Sequence, residues 1–396
     1  MRKLMVLGAN DAVVPLIRAG RALGFTTYAV SITGAYPGFA EADYAVHADI
    51  TSEREVFEAA VRIGADGIAT CCMDVGLRAL GSACERLHLA GPSEGAARLS
   101  TNKYEMKQAF LRCGVRTPAS QMVDSPEALQ KVLQGLSYPV MLKAVDQMGS
   151  RGIFRCGTRE EVIERYPACM AASKAPYCLV ETYVSGPSFG VEGMVKDGRI
   201  VFFLPNGTTV YDGYTATPVG HYYPAPELEA VRKDLEEQVP RIVEALGIRT
   251  SPFNCDFILH DGRSYCIEAT ARAGANGLPE LTGGCFGVNY YEQIVRLAMG
   301  EPLSAALGAY KSGKACLTYM LHSGRSGILT GLAGRPLPEG AEVSMHASVG
   351  DEVRAYTNGR DYLGSVLITG DTLETCRKRL CGTLDAIGAE VDGQRI

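Results

Sequence analysis

The stretch that most constrains this chain is Asn254-Cys-Asp-Phe-Ile-Leu-His-Asp-Gly-Arg-Ser-Tyr-Cys-Ile-Glu-Ala-Thr-Ala-Arg272. Two short apolar runs, Phe257 to Leu259 and Tyr265 to Ile267, flank His260-Asp-Gly-Arg263, and that pattern predicts a β-hairpin with a tight turn. Asp256 would open the first strand and Glu268 would close the second, which sets the two carboxylates side by side at one end of an antiparallel pair. Two carboxylates held that close repel each other unless a cation lies between them, and hard oxygen donors point to Mg²⁺, with Mn²⁺ as an alternative. Arg272, four residues beyond Glu268, adds a guanidinium fork suited to a phosphate or carboxylate. A surface hairpin with ordinary acidic ends explains the same residues equally well. The rest of the chain decides between them.

At 396 residues two to three domains are expected, and 46% hydrophobic with 21% charged residues is the balance of a globular protein with substantial cores. A net charge of -5 argues against nucleic acid or an anionic membrane as the main partner. No uninterrupted 18-residue apolar run marks a membrane span. The N-terminal Leu4-Met-Val-Leu7 breaks at Gly8-Ala-Asn-Asp11, so it reads as a buried strand and not as a leader. Thirteen cysteines are odd in number, scattered and free of Cys-x-x-Cys spacing. They read as reduced thiols of a cytoplasmic protein.

Residues 1 to about 98 alternate strand and helix, with strands at 4–7, 26–30 and 67–70 and helices at 13–23, 53–63 and 75–86. This alternation predicts a parallel sheet covered on both faces, with Gly8-Ala-Asn10 at the customary ligand position. After Gly91-Pro92-Ser93, Asn102 opens a helix, Glu105 is its possible capping partner, and Lys103 falls in the first turn. A lysine there is either solvated or placed to meet a phosphate at the helix N-terminus. From Pro118 to Glu181 the order is strand, helix, strand, helix, strand. Tyr138-Pro-Val-Met-Leu142 runs into Lys143, and Cys178-Leu-Val180 runs into Glu181. Between them the loop 146–153 carries glycines and donors that could fold over phosphate oxygens, without the spacing of a common P-loop. Helices are expected at 227–246, 289–299 and 372–387, and short strands with Gly/Pro turns follow residue 303.

Taken in order, Lys103, Lys143 with its Gly/Ser loop, Glu181-Thr-Tyr-Val184, Glu192, Asp256, Glu268 and Arg272 resemble the ATP-grasp superfamily, and the segment from Glu268 to Gly300 resembles its carboxylate–amine ligase branch. The resemblance implies an α/β and α+β chain: a Rossmann-like pre-ATP-grasp domain over 1–98, an ATP-grasp fold over 99–302 with a mobile lid at about 118–182, and a small, mostly β closing domain over 303–396. It further implies that Lys103 and Lys143 contact the ATP phosphates, that Ser150 and Gly152 cover them, and that Glu181 and the backbone at Val184 hold the adenine. Glu192 would lie near the ribose and phosphates, His221 near the nucleotide, Asp256 and Glu268 on the metal, and Arg272 on an acyl phosphate or substrate carboxylate. Thr270 stands where the family often has an asparagine metal ligand.

The activity so implied is an ATP- and Mg²⁺-dependent ligase that joins a small-molecule carboxylate to an amine through an acyl phosphate, with Lys143 and Arg272 in the chemical step. Purine-pathway or bicarbonate-activating enzymes of the same superfamily are the alternative, as is a nucleotide-binding regulator without turnover. Related architectures often form homodimers.

Overall fold

The computed structural model describes residues 1–147, 151–211, 217–309, 314–357, 359 and 361–396. Among them the strands form four sheets. The first is parallel, with Lys3–Leu7 at its centre between Thr26–Ser31 and Gly67–Ala69, and Tyr44–His47 at one edge. Lys3–Leu7 and Gly67–Ala69 are near-continuous apolar runs, as burial on both faces requires. Helices Val14–Ala22, Glu53–Ile63 and Leu77–Arg86 cover it with amphipathic faces.

A second sheet, of residues 120–182, is antiparallel and orders Ser120–Val123, Cys178–Thr182, Val140–Ala144 and Ile153–Cys156. Helices Pro126–Val132 and Arg159–Ala172 pack their buried side chains on it around Val140, Leu142 and Cys178. Both helices start at serine or threonine caps, Ser125 and Thr158, whose hydroxyls accept from backbone N–H groups in the first turn.

The central sheet is antiparallel and eight-stranded: Arg263–Thr270, Ser251–His260, Ser188–Lys196, Arg199–Val210, Pro218–Tyr223, Ala315–His322, Tyr362–Gly370 and Ala341–Met345. The pairing of Pro218–Tyr223 with Ala315–His322 carries it without a break into the C-terminal residues. Helix Leu373–Ile387 and a small sheet of 327–331, 352–353, 390–391 and 394–395 complete that end. One face of the central sheet presents Phe253, Cys255, Phe257 and Val191 to helices Lys103–Arg112 and Arg232–Leu246. Alternation along a strand therefore turns Asn254 and Asp256 to the opposite face. That face is partly covered by helices Leu278–Phe286 and Tyr290–Ala298, which join it to the N-terminal helix through one apolar cluster. No helix among the described residues is long and apolar enough to cross a membrane.

Candidate active site

The hairpin is present but longer than its apolar runs suggest. Its strands span Ser251–His260 and Arg263–Thr270, so Asp256 lies within the first strand instead of opening it, and Glu268 is followed by further paired residues. Asp261 and Gly262 both take positive φ, 47° and 68°, the turn geometry that matches strand twist. Asp256 does sit opposite Glu268, whereas Phe257 sits opposite Cys266, leaving Ile267 as a bulge. The bulge has a chemical consequence. Cys266 and Glu268 are two apart and would share a face in a regular strand; the extra residue sends Cys266 to the core and Glu268 to the opposite face with Asp256.

Around this pair the cations and carboxylates balance. Lys103, at the first turn of helix Lys103–Arg112, donates to Glu268 Oε1 at 2.8 Å and to Gln147 O at 2.8 Å. Burial would lower the Lys103 pKa, but Glu268 and the neighbouring Asp74 and Glu181 raise it overall. Asn102 caps the helix by accepting from Tyr104 N and Glu105 N; the Glu105 carboxylate turns to Arg98 and does not close a capping box. Lys143 Nζ lies 2.6 Å from Glu181 Oε2, and Lys107 Nζ 3.6 Å from Glu181 Oε1. Burial opposes ionisation of Glu181, yet the two lysines hold its carboxyl below the ordinary value. Lys107 is four residues beyond Lys103 on the same helix face and was not singled out from sequence, although that spacing could have drawn attention to it.

Asp256 has no ion-pair partner among the described residues. It is open to solvent yet crowded by protein, and that burial, with Glu268 beside it, pushes its carboxyl up to about 6. No group of three or more His, Cys, Asp or Glu side chains among the described residues forms a cage for a metal. A pair of hard carboxylates side by side on one sheet face, both reached by solvent, fits Mg²⁺ that takes its remaining ligands from phosphates and water.

Arg272 is held by a residue that the sequence did not single out. Asp74, in the loop after Gly67–Ala69, accepts from Arg272 Nε at 2.7 Å and Nη2 at 3.0 Å, and from Thr270 Oγ1 at 3.0 Å. Burial works against the Asp74 carboxylate, but Arg272 and these bonds hold it below its ordinary value. A ligand position at the C-terminal end of a parallel strand is where such a residue could have been sought. Cys72 N donates to Ala273 O at 3.1 Å, which fastens the same loop beside the guanidinium.

Of the other residues singled out from sequence, Glu181, Glu192 and His221 are buried. Glu192 is fully buried beneath Gly274 N and Tyr290 OH, at 3.0 and 3.1 Å, and burial raises its carboxyl to about 8 despite those bonds. Glu181 is likewise turned inward on the lysines, with 1% exposure, instead of lining an open crevice. His221 is buried between the Arg199–Val210 and Ala315–His322 strands, and burial lowers its pKa to about 4, so it is neutral at pH 7. Val184 lies between the 120–182 sheet and the central sheet. Gly152, at φ 66°, gives its carbonyl to Ala144 N and packs against Ala144 and Ala172 so closely that a Cβ would not fit. Ser150 lies outside the described residues.

Comparison with known proteins bears on the family and the fold. Residues 102–306 match the family model of the carbamoyl-phosphate synthase L chain ATP-binding domain, and 319–392 match the L-amino acid ligase C-terminal domain 2. The chain spans about half the length of some curated relatives: dapdiamide A synthase of Enterobacter agglomerans is 25% identical over 211 residues, covering 50% of this chain and 47% of that protein. The solved phosphoribosylglycinamide synthetase from Anaerococcus prevotii is 31% identical, with a TM-score of 0.83 over 99% of this chain and 100% of that one. An L-amino acid ligase from Bacillus licheniformis, 20% identical, shares the fold with a TM-score of 0.80 over 100% of this chain and 99% of its own. With one family model running from the Asn102 helix cap past Gly300-Glu-Pro302, over half of its length, the chain belongs to the ATP-grasp superfamily, in its carboxylate–amine ligase branch.

Proposed function

We propose that this chain uses ATP and Mg²⁺ to join a small-molecule carboxylate to an amine through an acyl phosphate, releasing ADP and phosphate. The observation that carries this is the in-register pair Asp256 and Glu268, with Lys103 on Glu268 and the Asp74-held Arg272 on the strand continuation. A bound Mg²⁺, held by Asp256 and Glu268, would neutralise phosphate charge. Lys103 and Lys143 would bind the phosphates of the nucleotide, each exchanging its present carboxylate partner for them. Arg272, oriented by Asp74, would hold the acyl phosphate or the substrate carboxylate through its fork. A carboxylate oxygen attacks the γ-phosphorus as ADP leaves; the amine nitrogen then attacks the acyl carbon, phosphate departs, and the amine gives up a proton. Such phosphoryl transfer rests on positioning and charge neutralisation and needs no covalent nucleophile.

The test is ADP release over a panel of amino acids, dipeptides and bicarbonate. It is followed by transfer of ¹⁸O from labelled carboxylate into inorganic phosphate. Amide formed with no label in inorganic phosphate would exclude the acyl-phosphate route. The 31% identity to a phosphoribosylglycinamide synthetase over full length supports a second reading, a ligase joining phosphoribosylamine to glycine. ADP release with that pair of substrates alone would select it.

A further inference from the structure

Asn206 lies beside Gly190 in the central sheet, and Gly190 lies beside Asp256. One row across the sheet face therefore reads Glu268, Asp256, Gly190, Asn206. The glycine leaves its place in the row open, and the Asn206 carboxamide leans into it: Oδ1 is 2.8 Å from where a Gly190 Cβ would stand. Asn206 is fully buried. Its Nδ2 donates to Leu204 O at 3.2 Å, which fixes the oxygen as the other end of the amide. That Oδ1 has no donor among the described residues. Leaving a buried acceptor unpaired is unfavourable, and such an atom calls for a partner that arrives later. Thr270, two residues from Glu268, is already committed to Asp74.

We propose that Asn206 is a further residue of the cation site, accepting a hydrogen bond from water bound to the metal that Asp256 and Glu268 attract. The inference rests on the metal role given to that pair above. Two strand spacings, roughly 10 Å, separate the Asp256 and Asn206 backbones; the Asn206 oxygen is closed off over Gly190 as it stands, so the carboxamide would turn toward Asp256 to meet water on a bound cation. Mg²⁺ keeps several waters in protein sites, and a neutral amide oxygen can orient one without adding to the repulsion between two carboxylates.

The test uses Mn²⁺ as probe with ADP on the full chain, reading free Mn²⁺ by electron paramagnetic resonance, together with metal-free melting temperatures. Asn206→Ala is expected to weaken Mn²⁺ binding about tenfold, with a melting temperature equal to or above that of the parent. Gly190→Ala, whose new Cβ displaces the amide, is expected to weaken binding as well. Asn206→Asp keeps the shape, adds charge and is expected to tighten it. Unchanged Mn²⁺ affinity in Asn206→Ala would overturn the proposal, as would a lowered melting temperature in that variant with no gain in Asn206→Asp. A parent chain that takes up no Mn²⁺ with ADP would instead remove the metal role of Asp256 and Glu268 itself.

Discussion

Asp74→Asn tests whether the N-terminal sheet acts on the chemistry through Arg272. In the parent, two charge-assisted bonds of 2.7 and 3.0 Å hold the guanidinium. Side-chain exposures of 13% and 21% shield the pair from much of the solvent. Hydrogen bonds to charged groups are worth roughly 1.5–3 kcal/mol each and neutral ones about 1 kcal/mol. The asparagine keeps one acceptor, loses the charge and turns a donor toward the guanidinium, so about 2 kcal/mol of restraint on Arg272 is removed. If that restraint is used in the transition state, turnover falls about 30-fold, at 1.36 kcal/mol per decade. Arg272 is not assigned to ATP, so nucleotide affinity should stay within about twofold. The assay is steady-state ADP release with the carboxylate and amine found by the panel, beside direct titration of ADP binding. Parent-like kcat, or a loss of nucleotide binding equal to the loss of turnover, would refute a positioning role for Asp74.

Glu268→Gln should abolish ADP release, by about 10²–10³ or more, while circular dichroism stays that of the parent; a folded variant with near-normal turnover would remove the metal assignment. Glu192 carries a folded-state pKa of about 8 against an ordinary 4.5, so between those values the folded chain holds a proton that the unfolded chain has released. Stability should therefore fall as pH rises through that window, at up to about 1.4 kcal/mol per pH unit. Glu192→Gln should flatten the profile of melting temperature against pH, and parallel profiles would show that Glu192 is not the group responsible. Amide exchange from Arg151 to Phe154 should slow on adding Mg-ATP if the loop after Lys143 covers phosphates; unchanged protection would count against it.

The N-terminal βαβ pattern was readable because its strands are buried on both faces and its helices carry a 3.6-residue apolar stripe. The Glu53–Ile63 helix has the bounds its sequence suggests, set by the Ser52 cap and by Gly64 in the left-handed region. The middle of the central sheet was not readable. Ser188–Lys196 is buried almost throughout, so it shows no alternation, and glycines at 190 and 193 interrupt its β-branched character. Tyr44–His47 is short and largely exposed at a sheet edge, which leaves no apolar run to see. The strand at 315–322 was legible, but its pairing with 218–223 was not, because nothing local announces a partner so distant in the chain.

At the site, what was legible depended on local signals and what was missed depended on register. Asp256 and Glu268 were found from a turn and two apolar runs, although their facing one another needs the Ile267 bulge, which spacing alone does not reveal. Without that bulge, Glu268 would share the face of Cys266 and lie in the core cluster with Phe253 and Phe257. The residues that answer each charge lie far away in sequence: Asp74 for Arg272, Lys103 for Glu268, and Lys107 and Lys143 for Glu181. These pairings explain why three buried lysines and a nearly buried arginine can coexist without ligand, since each has a carboxylate at hand. They also single out Asp256. It adjoins another carboxylate instead of a cation and is driven upward in pKa by that neighbour and by the surrounding protein. A cation arriving there relieves a repulsion, whereas at the other charged groups a ligand must replace an existing partner.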